Sequence, residues 1–421
     1  MLSRYKSVNN KVTTRINSLD FLRGVAILCI LLINIESFAY PNPWGSYQYG
    51  FMTELDSKVR YWVYFVAQGK FYGLLAALFG VGLTMIIQKQ PLGSAITLSA
   101  SRLLVLFIIG CTHAYFIWSG DILYHYAVIG IVALMIILLG SAVIKVSIVV
   151  CISFILLFGY AKAERTNAQY QAYVVAKSVE KAQRSSKQHR SISRWENRVQ
   201  QKLPRHSELE HQPTLQAHWL DNFSTPQVHK GKLFYSSIFW STLMMMLIGA
   251  LLFQSGFFSA KKLSPLVVAA FIGLVIVSIY ASQQRYFYWL LHPHIPILSY
   301  LKQMLVVLNR ELQALVYIVV LSLLYNRFLY KLRWLTPINL VGRFALSNYI
   351  LQSIVLVIIF YGFDFYNTYS RSELLVLWIL MVLCQIGLNM IYGRFFTQGP
   401  LEKVWRTLTA KLRPLNDDAR A

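Results

Sequence analysis

Ten apolar stretches, almost every one bounded by charged or turn-forming residues, recur along the chain and fix its solvent. A helix of about 20 apolar residues matches the thickness of bilayer hydrocarbon. Hydrocarbon offers no partner for backbone N–H and C=O groups, so only helices and closed barrels cross it, and a barrel would show alternation instead. The pattern predicts an all-α polytopic membrane protein, a bundle of about ten transmembrane helices. Spans fall near residues 20–40, 62–87, 103–119, 121–140, 143–161, 234–254, 264–282, 303–326, 340–361 and 373–393.

The make-up agrees, with 56% of residues hydrophobic and 14% charged, too apolar for an ordinary soluble core. The formal charge of +23 would suit a nucleic-acid binder, but the cations sit in the loops between spans. There they act as topology signals, and no nucleic-acid partner is expected. With a cytoplasmic N-terminus, the short inner segments carry Arg4, Lys6, Lys11, Arg15, Lys89, Arg102, Lys145, Lys261, Lys262, Arg327, Lys331, Arg333, Arg343 and the basic tail. The short outer loops carry Lys58, Arg60, Arg285 and Arg371, so both termini are expected in the cytoplasm. The basic start leads into an apolar run with no small-residue cleavage site before Pro41, which reads as an uncleaved first helix. Cys29, Cys111, Cys151 and Cys384 all lie in apolar stretches, which argues against a disulfide framework.

The chain thus divides into a five-helix membrane half (1–161), a long polar, basic, extracytoplasmic loop (162–232), a second five-helix half (233–409) and a cytoplasmic tail (410–421). The loop carries 13 Lys/Arg against six Asp/Glu and is still placed outside, because loops beyond about 60 residues translocate largely regardless of charge. Helical spacing of Tyr173, Ala176, Val179 and Ala182 predicts a surface helix over 170–201, ahead of a looser 204–231. Such a charged helix is ordinarily a solvated face; a lid over an outward-facing site and contact with anionic headgroups are the alternatives. Arg310 and Glu311 interrupt the eighth span, so its helix is expected to start near Leu312, with 296–309 re-entrant or interfacial.

Polar groups inside spans are costly and mark where chemistry belongs. Toward the cytoplasm lie Arg23, Arg102, Arg343, Asn348, Gln352, Gln385 and Asn389; toward the outside lie Asn34, Glu36, Lys70, His113, Asp121 and His125. The pairs Asn348/Gln352 and Gln385/Asn389 each share a helix face. Arg23 to Asn34 and Arg102 to His113 both span 11 residues, roughly 16 Å of helix rise. The inner set reads either as snorkelling cations and interhelical amides or as a cavity whose guanidiniums suit phosphates. His113 and Asp121 flank the turn Ser119-Gly120, so the acid can orient an imidazole that moves protons near neutral pH; the other reading is a satisfied helix contact. Glu36, two residues past Asn34, is a second candidate base or else a solvated helix end. The glycines of "GKFYGLLAALFGVG" read as close helix packing. No Walker loop, dinucleotide glycine pattern, HExxH or paired-cysteine metal site occurs, so no metal is expected.

Five ordered blocks, "LDFLRGVAILCILLINIESFAYP", "GKFYGLLAALFGVG", "RLLVLFIIGCTHAYFIWSGDIL", "GRFALSNYILQS" and "GPLEKVWRTLT", resemble the signatures of the YeiB family, bacterial inner-membrane proteins with domain of unknown function 418. That family resembles the transmembrane acyltransferases, which include heparan-α-glucosaminide N-acetyltransferase and the acyltransferase-3 proteins. The resemblance implies an acyl donor such as acetyl-CoA taken from the cytoplasm, and a small-molecule or glycan acceptor outside. Arg23 matches the early Arg of acyltransferase-3 proteins, but Asn34 stands where they carry His. The heparan enzyme also has Asn there and takes its base from the next luminal loop, whereas residues 41–61 here contain no His. His113 is the nearest substitute, with Glu36 the alternative, Asn34 or Trp118 as oxyanion donor, and the inner Arg set as the phosphate site. A transporter of a small metabolite and a non-catalytic membrane component are the rival readings, and a homo-oligomer is left open.

Overall fold

The computed structural model describes residues 17–41, 48–201, 203–204, 213–224, 237–260, 264–288, 292, 295–297, 299–332 and 335–412. The basic segments at 4–15, 261–262, 333 and 413–421 lie outside the described residues. Among those described, the fold is helical without strands. The helices are α1 (Asn17–Ala39), α2 (Glu54–Val66), α3 (Lys70–Lys89), α4 (Leu92–Phe116), α5 (Leu123–Leu138), α6 (Ser141–Ser178), α7 (Ser186–Gln200), α8 (Leu215–Ser224), α9 (Ser237–Gln254), α10 (Pro265–Tyr286), α11 (Tyr300–Val307), α12 (Asn309–Arg327), α13 (Thr336–Arg343), α14 (Ala345–Val357), α15 (Arg371–Phe395) and α16 (Pro400–Lys411).

Eight helical segments are long and apolar enough to cross a membrane, with α2 and α3 forming one and α14 with its π-helical turn Ile358–Gly362 another. The bent pair α11 and α12 makes a ninth if it is one span, and the shorter α5 is a further apolar helix, so each of the ten expected stretches carries helix among the described residues. The lower end of the bundle is defined here as the side where α1 starts, the upper end as the side where it stops. Ser18 bonds the Phe258 carbonyl at the lower end, and Asn367 N–H bonds the Ala39 carbonyl at the upper end.

The bundle closes most tightly where α3 meets α9. A Cβ on Gly80 would lie 1.8 Å from the Met246 carbonyl oxygen, and one on Gly249 1.9 Å from that of Ala77. Each glycine lets the other helix's backbone approach, which is how apolar helices gain dispersion contact in a solvent as apolar as themselves. Around this seam Leu74, Leu78, Met245, Leu247, Ile129 and Ile318 form the main buried cluster.

Two elements differ from the expected outline and a third fills it in. The fifth span does not end near 161 but runs on to Ser178, and the break at 179–185 turns the chain back into α7. Trp195 packs on Tyr170 and Tyr173, while Lys177 pairs with Glu196 at 3.0 Å, so the basic loop begins as a helical hairpin. Within the stretch expected to be loose, α8 is a helix. Finally, the helix of the eighth span, α12, begins at Asn309, close to the expected Leu312, and the stretch before it, expected to be re-entrant or interfacial, holds the short helix α11, bent from α12 by 46° at Leu308 as in a broken span or a re-entrant loop.

Candidate functional site

At the lower end the structure gathers cations. Arg343 closes α13 and lines a pocket of about 170 Å³ with Thr397, Gln398, Glu402 and Arg406. Glu402 accepts N–H bonds from Leu346 at 2.7 Å and Ser347 at 3.3 Å, capping the start of α14, where a carboxylate is favoured by the helix dipole. Two guanidiniums against one carboxylate leave the pocket positive. Arg102 lies beside it, its guanidinium 4.3 Å above the Trp405 ring, whose indole N–H bonds the Arg102 carbonyl at 2.9 Å. Arg23 pairs with Asp20 at 3.2 Å, and the fields of Arg23 and Arg406 both reach Arg102.

The four amides meet between α14 and α15. Gln352 donates to Gln385 at 2.8 Å and Gln385 to Asn348 at 2.9 Å; Asn348 and Asn389 exchange bonds at 3.0 and 2.8 Å. All four are buried, and they spend most of their hydrogen-bonding capacity on one another and on the Ile27 and Val341 carbonyls. Such an amide ladder joins helices inside hydrocarbon.

In the upper half, Asp121 and His113 meet. The His113 Nδ1 lies 2.9 Å from Asp121 Oδ1, with both side chains essentially fully buried. The Tyr124 N–H donates to Oδ2 at 3.0 Å and the Tyr349 hydroxyl approaches Oδ1 at 3.4 Å. A carboxylate facing Nδ1 draws the proton to that nitrogen and leaves Nε2 as the acceptor. His113 Nε2 is buried and has no hydrogen-bond partner among the described residues. His125 turns to the Asp121 carbonyl at 3.2 Å. Asn34 joins through Tyr72, whose hydroxyl it accepts and which lies within electrostatic reach of Tyr349. Because Tyr349 follows Asn348 on α14, the upper polar group and the amide ladder adjoin.

Glu36 is not brought to His113. Its carboxylate holds Arg60 Nη1 at 2.8 Å and Arg371 Nη1 at 3.0 Å, so its lone pairs are committed to two buried guanidiniums. Trp118 packs against Phe38, with ring centroids 4.7 Å apart and the planes tilted by 34°.

Over the upper end lies α8. His218 Nε2–H donates to the Ile117 carbonyl at 3.0 Å, Asn222 accepts from Ser119 N–H at 3.0 Å, and Phe223 packs on Tyr115 and Phe116. The His218 ring lies 4.0 Å from that of Tyr361, and its burial there lowers its pKa from the ordinary 6.5. These contacts hold α8 on the turn that follows His113. Reading the sequence alone misses Tyr72, Tyr349, Arg406 and this helix. Tyr72, Tyr349 and Arg406 all fall inside the family-like blocks, but a tyrosine in an apolar run looks like any other ring.

Helices of membrane length around a buried polar column define a multi-pass α-helical membrane protein. The chain belongs to the YeiB family: it is 30% identical over 416 residues to "Uncharacterized protein YeiB" of Escherichia coli (strain K12), covering 94% of this chain and 96% of that one. A protein of Bacillus subtilis (strain 168) named YxaH is 26% identical with 94% of each chain covered, and a 39.9 kDa protein of Bacillus acidopullulyticus is 23% identical with the same coverage. The family model described as "Protein of unknown function (DUF418)" matches residues 252–411. No solved structure matches the chain.

Proposed function

We propose that this protein is a transmembrane acyltransferase of a bacterial inner membrane, moving an acyl group from a cytoplasmic acyl-CoA such as acetyl-CoA to an extracytoplasmic acceptor such as a glycan. The observation that carries the reading is the His113–Asp121 pair: a buried imidazole anchored at Nδ1 by a carboxylate, with Nε2 left unpartnered. That is the arrangement of a general base whose tautomer is set by its acid. Nε2 takes the proton of an acceptor hydroxyl or amine as that atom attacks the thioester carbonyl. The C–S bond then breaks, the coenzyme thiolate leaves toward the cytoplasm and takes a proton from water there, and the proton held on His113 Nε2 is released on the acceptor side, which restores the base. The positive pocket at Arg343 and Arg406, flanked by Arg102 and Arg23, suits the donor's phosphates. Asn348, Gln352, Gln385 and Asn389 hold the wall between the two ends rather than the donor itself.

The test compares surface glycans and lipids of expressing and deleted cells fed labelled acetate. Label in an extracytoplasmic product, present only with the protein and lost in His113→Asn, is expected. Identical labelling in both strains defeats the reading.

One observation favours transport of a small metabolite as the second reading. The span α11–α12 is bent at Leu308, and beside the bend the buried acceptors Asn309 Oδ1 and Gln313 Oε1 carry no hydrogen bond among the described residues. Broken spans with polar linings are where transporters bind their cargo.

A further inference from the structure

We infer that α16 is an interfacial helix lying in the membrane plane, and that its partner is the anionic phospholipid of the leaflet at the lower end of the bundle. Its 12 residues are too few to cross hydrocarbon, and Glu402, Lys403, Arg406 and Lys411 make it too polar to try. The helix divides into four rows spaced i, i+4, each with its own surroundings. Leu401, Trp405 and Thr409 face the bundle, the first two packed on the cluster around Leu106 and Val341 and the third buried. Glu402 and Arg406 line the lower pocket. Lys403 and Lys411 form an exposed third row with Thr407. Val404, Leu408 and Leu412, all exposed, make the fourth, and the helical turn sets this apolar row between the bundle row and the lysines.

The place of α16 in the bundle decides what covers that row. The Leu401 N–H bonds Ser347 Oγ at 3.0 Å in the first turn of α14, and the Trp405 indole bonds the Arg102 carbonyl at 2.9 Å, just before the apolar run of α4 that starts at Leu103. Both anchors therefore lie where spans enter hydrocarbon. The exposed apolar side of α15 runs down to the same end through Leu388, Ile391 and Phe395, and Phe396 continues it. The Tyr392 hydroxyl, bonded to the Gln398 carbonyl at 3.1 Å, ties the short link from there to α16. An apolar row that carries on from a hydrocarbon-facing surface at this level is covered by acyl chains, as in helices that lie at the headgroup boundary. The lysines along its edge then lay their stems on the apolar row and their ammoniums among the headgroups, where anionic phosphates attract them. Because the same helix supplies Glu402 and Arg406, one wall of the lower pocket is seated in the leaflet. None of this depends on acyl transfer.

The test places full-length protein, its native cysteines replaced, in nanodiscs of mixed phosphatidylcholine and phosphatidylglycerol. A spin label is attached in turn to a cysteine at Val404, Thr407, Leu408 or Ala410. Collision with oxygen, which concentrates in hydrocarbon, is compared with collision with a water-soluble nickel chelate. The labels at Val404 and Leu408 are expected to favour oxygen, and those at Thr407 and Ala410 the chelate. Preference for the chelate at all four would lift the helix off the membrane. Shielding of Val404 and Leu408 from both reagents would mean that a protein partner or a second copy covers the row; either result overturns the inference. The charge is read with a fluorophore at Leu408→Cys, quenched by nitroxide-bearing phosphatidylglycerol or phosphatidylcholine. The anionic lipid is expected to quench more strongly, its preference falling about fivefold for each lysine removed in Lys403→Gln and Lys411→Gln. Equal quenching by the two lipids, or a preference unchanged in both variants, overturns the anionic partner. If Leu408→Cys does not accumulate, Val404→Cys carries the fluorophore instead.

Discussion

His113 and Glu36 show how burial assigns different work to two ionisable groups of one bundle. His113 has a single anchored nitrogen and one open nitrogen, whereas Glu36 is clamped by Arg60 and Arg371. His113→Asn keeps a hydrogen-bonding group of similar size but cannot shuttle a proton near neutral pH. Acyl transfer is therefore expected to fall by about 100-fold or more with normal protein levels, measured as labelled product per amount of protein. Glu36→Gln would leave two buried guanidiniums sharing a neutral amide. A loss of about 3 to 5 kcal/mol is expected, read as a lower thermal midpoint in detergent, and an unchanged midpoint would show the triad to be dispensable. The sequence marks Arg23, Asn34, Glu36, His113 and Asp121 because each is polar where its neighbours are apolar. It does not mark Tyr72 or Tyr349, because in a chain with 26 tyrosines a ring says little until its hydroxyl has a partner.

Among the elements, the apolar stretches are readable from composition because length and apolarity alone make a span. Their continuations are not: α6 runs past the apolar region on helix-forming Ala, Gln and Glu, and the stop at Ser178 depends on α7 folding back onto Tyr170. The helix α8 escapes notice for the opposite reason, since ten residues carry too little periodicity and its order comes from docking on Ile117 and Ser119. That docking is expected to depend on pH. Burial lowers the folded pKa of His218 below its ordinary 6.5, so between the two values the undocked chain binds more protons. The docked state is favoured in full above the ordinary value and weakens as pH falls through it. The protection of α8 amides from hydrogen exchange, relative to their intrinsic exchange rates at each pH, should fall on going from pH about 7.5 to about 5.5, and in His218→Gln this pH-dependent loss of protection should vanish. The α3–α9 seam leaves no such latitude. Gly249→Ala forces the backbones apart at Ala77, with an expected loss of about 1 to 3 kcal/mol seen in the thermal midpoint.

At the scale of the whole molecule, the elements alternate consistently between two ends. Gln48 donates to the Gln201 carbonyl, which puts the α6–α7 hairpin on the same side as the chain after α1, while α16 packs beside Arg102 at the other. With 38 residues, α6 is about 57 Å long, against roughly 30 Å of hydrocarbon, so its polar end stands well clear of the membrane on the upper side. By the charge rule, the lower end is expected to face the cytoplasm. Lys89, Lys145, Arg327, Lys331, Arg343 and Arg394 lie at the lower end in short segments, where charge controls orientation, and the basic hairpin belongs to a loop too long to obey that rule. In a background without native cysteines, a cysteine at the partly exposed Ser191 is expected to react with an impermeant maleimide in intact cells, and one at the exposed Lys411 only after permeabilisation. The opposite pattern would invert the molecule. It would also leave the Arg343–Arg406 pocket facing away from cytoplasmic acyl-CoA, so this labelling tests the direction of the proposed transfer as well as the topology.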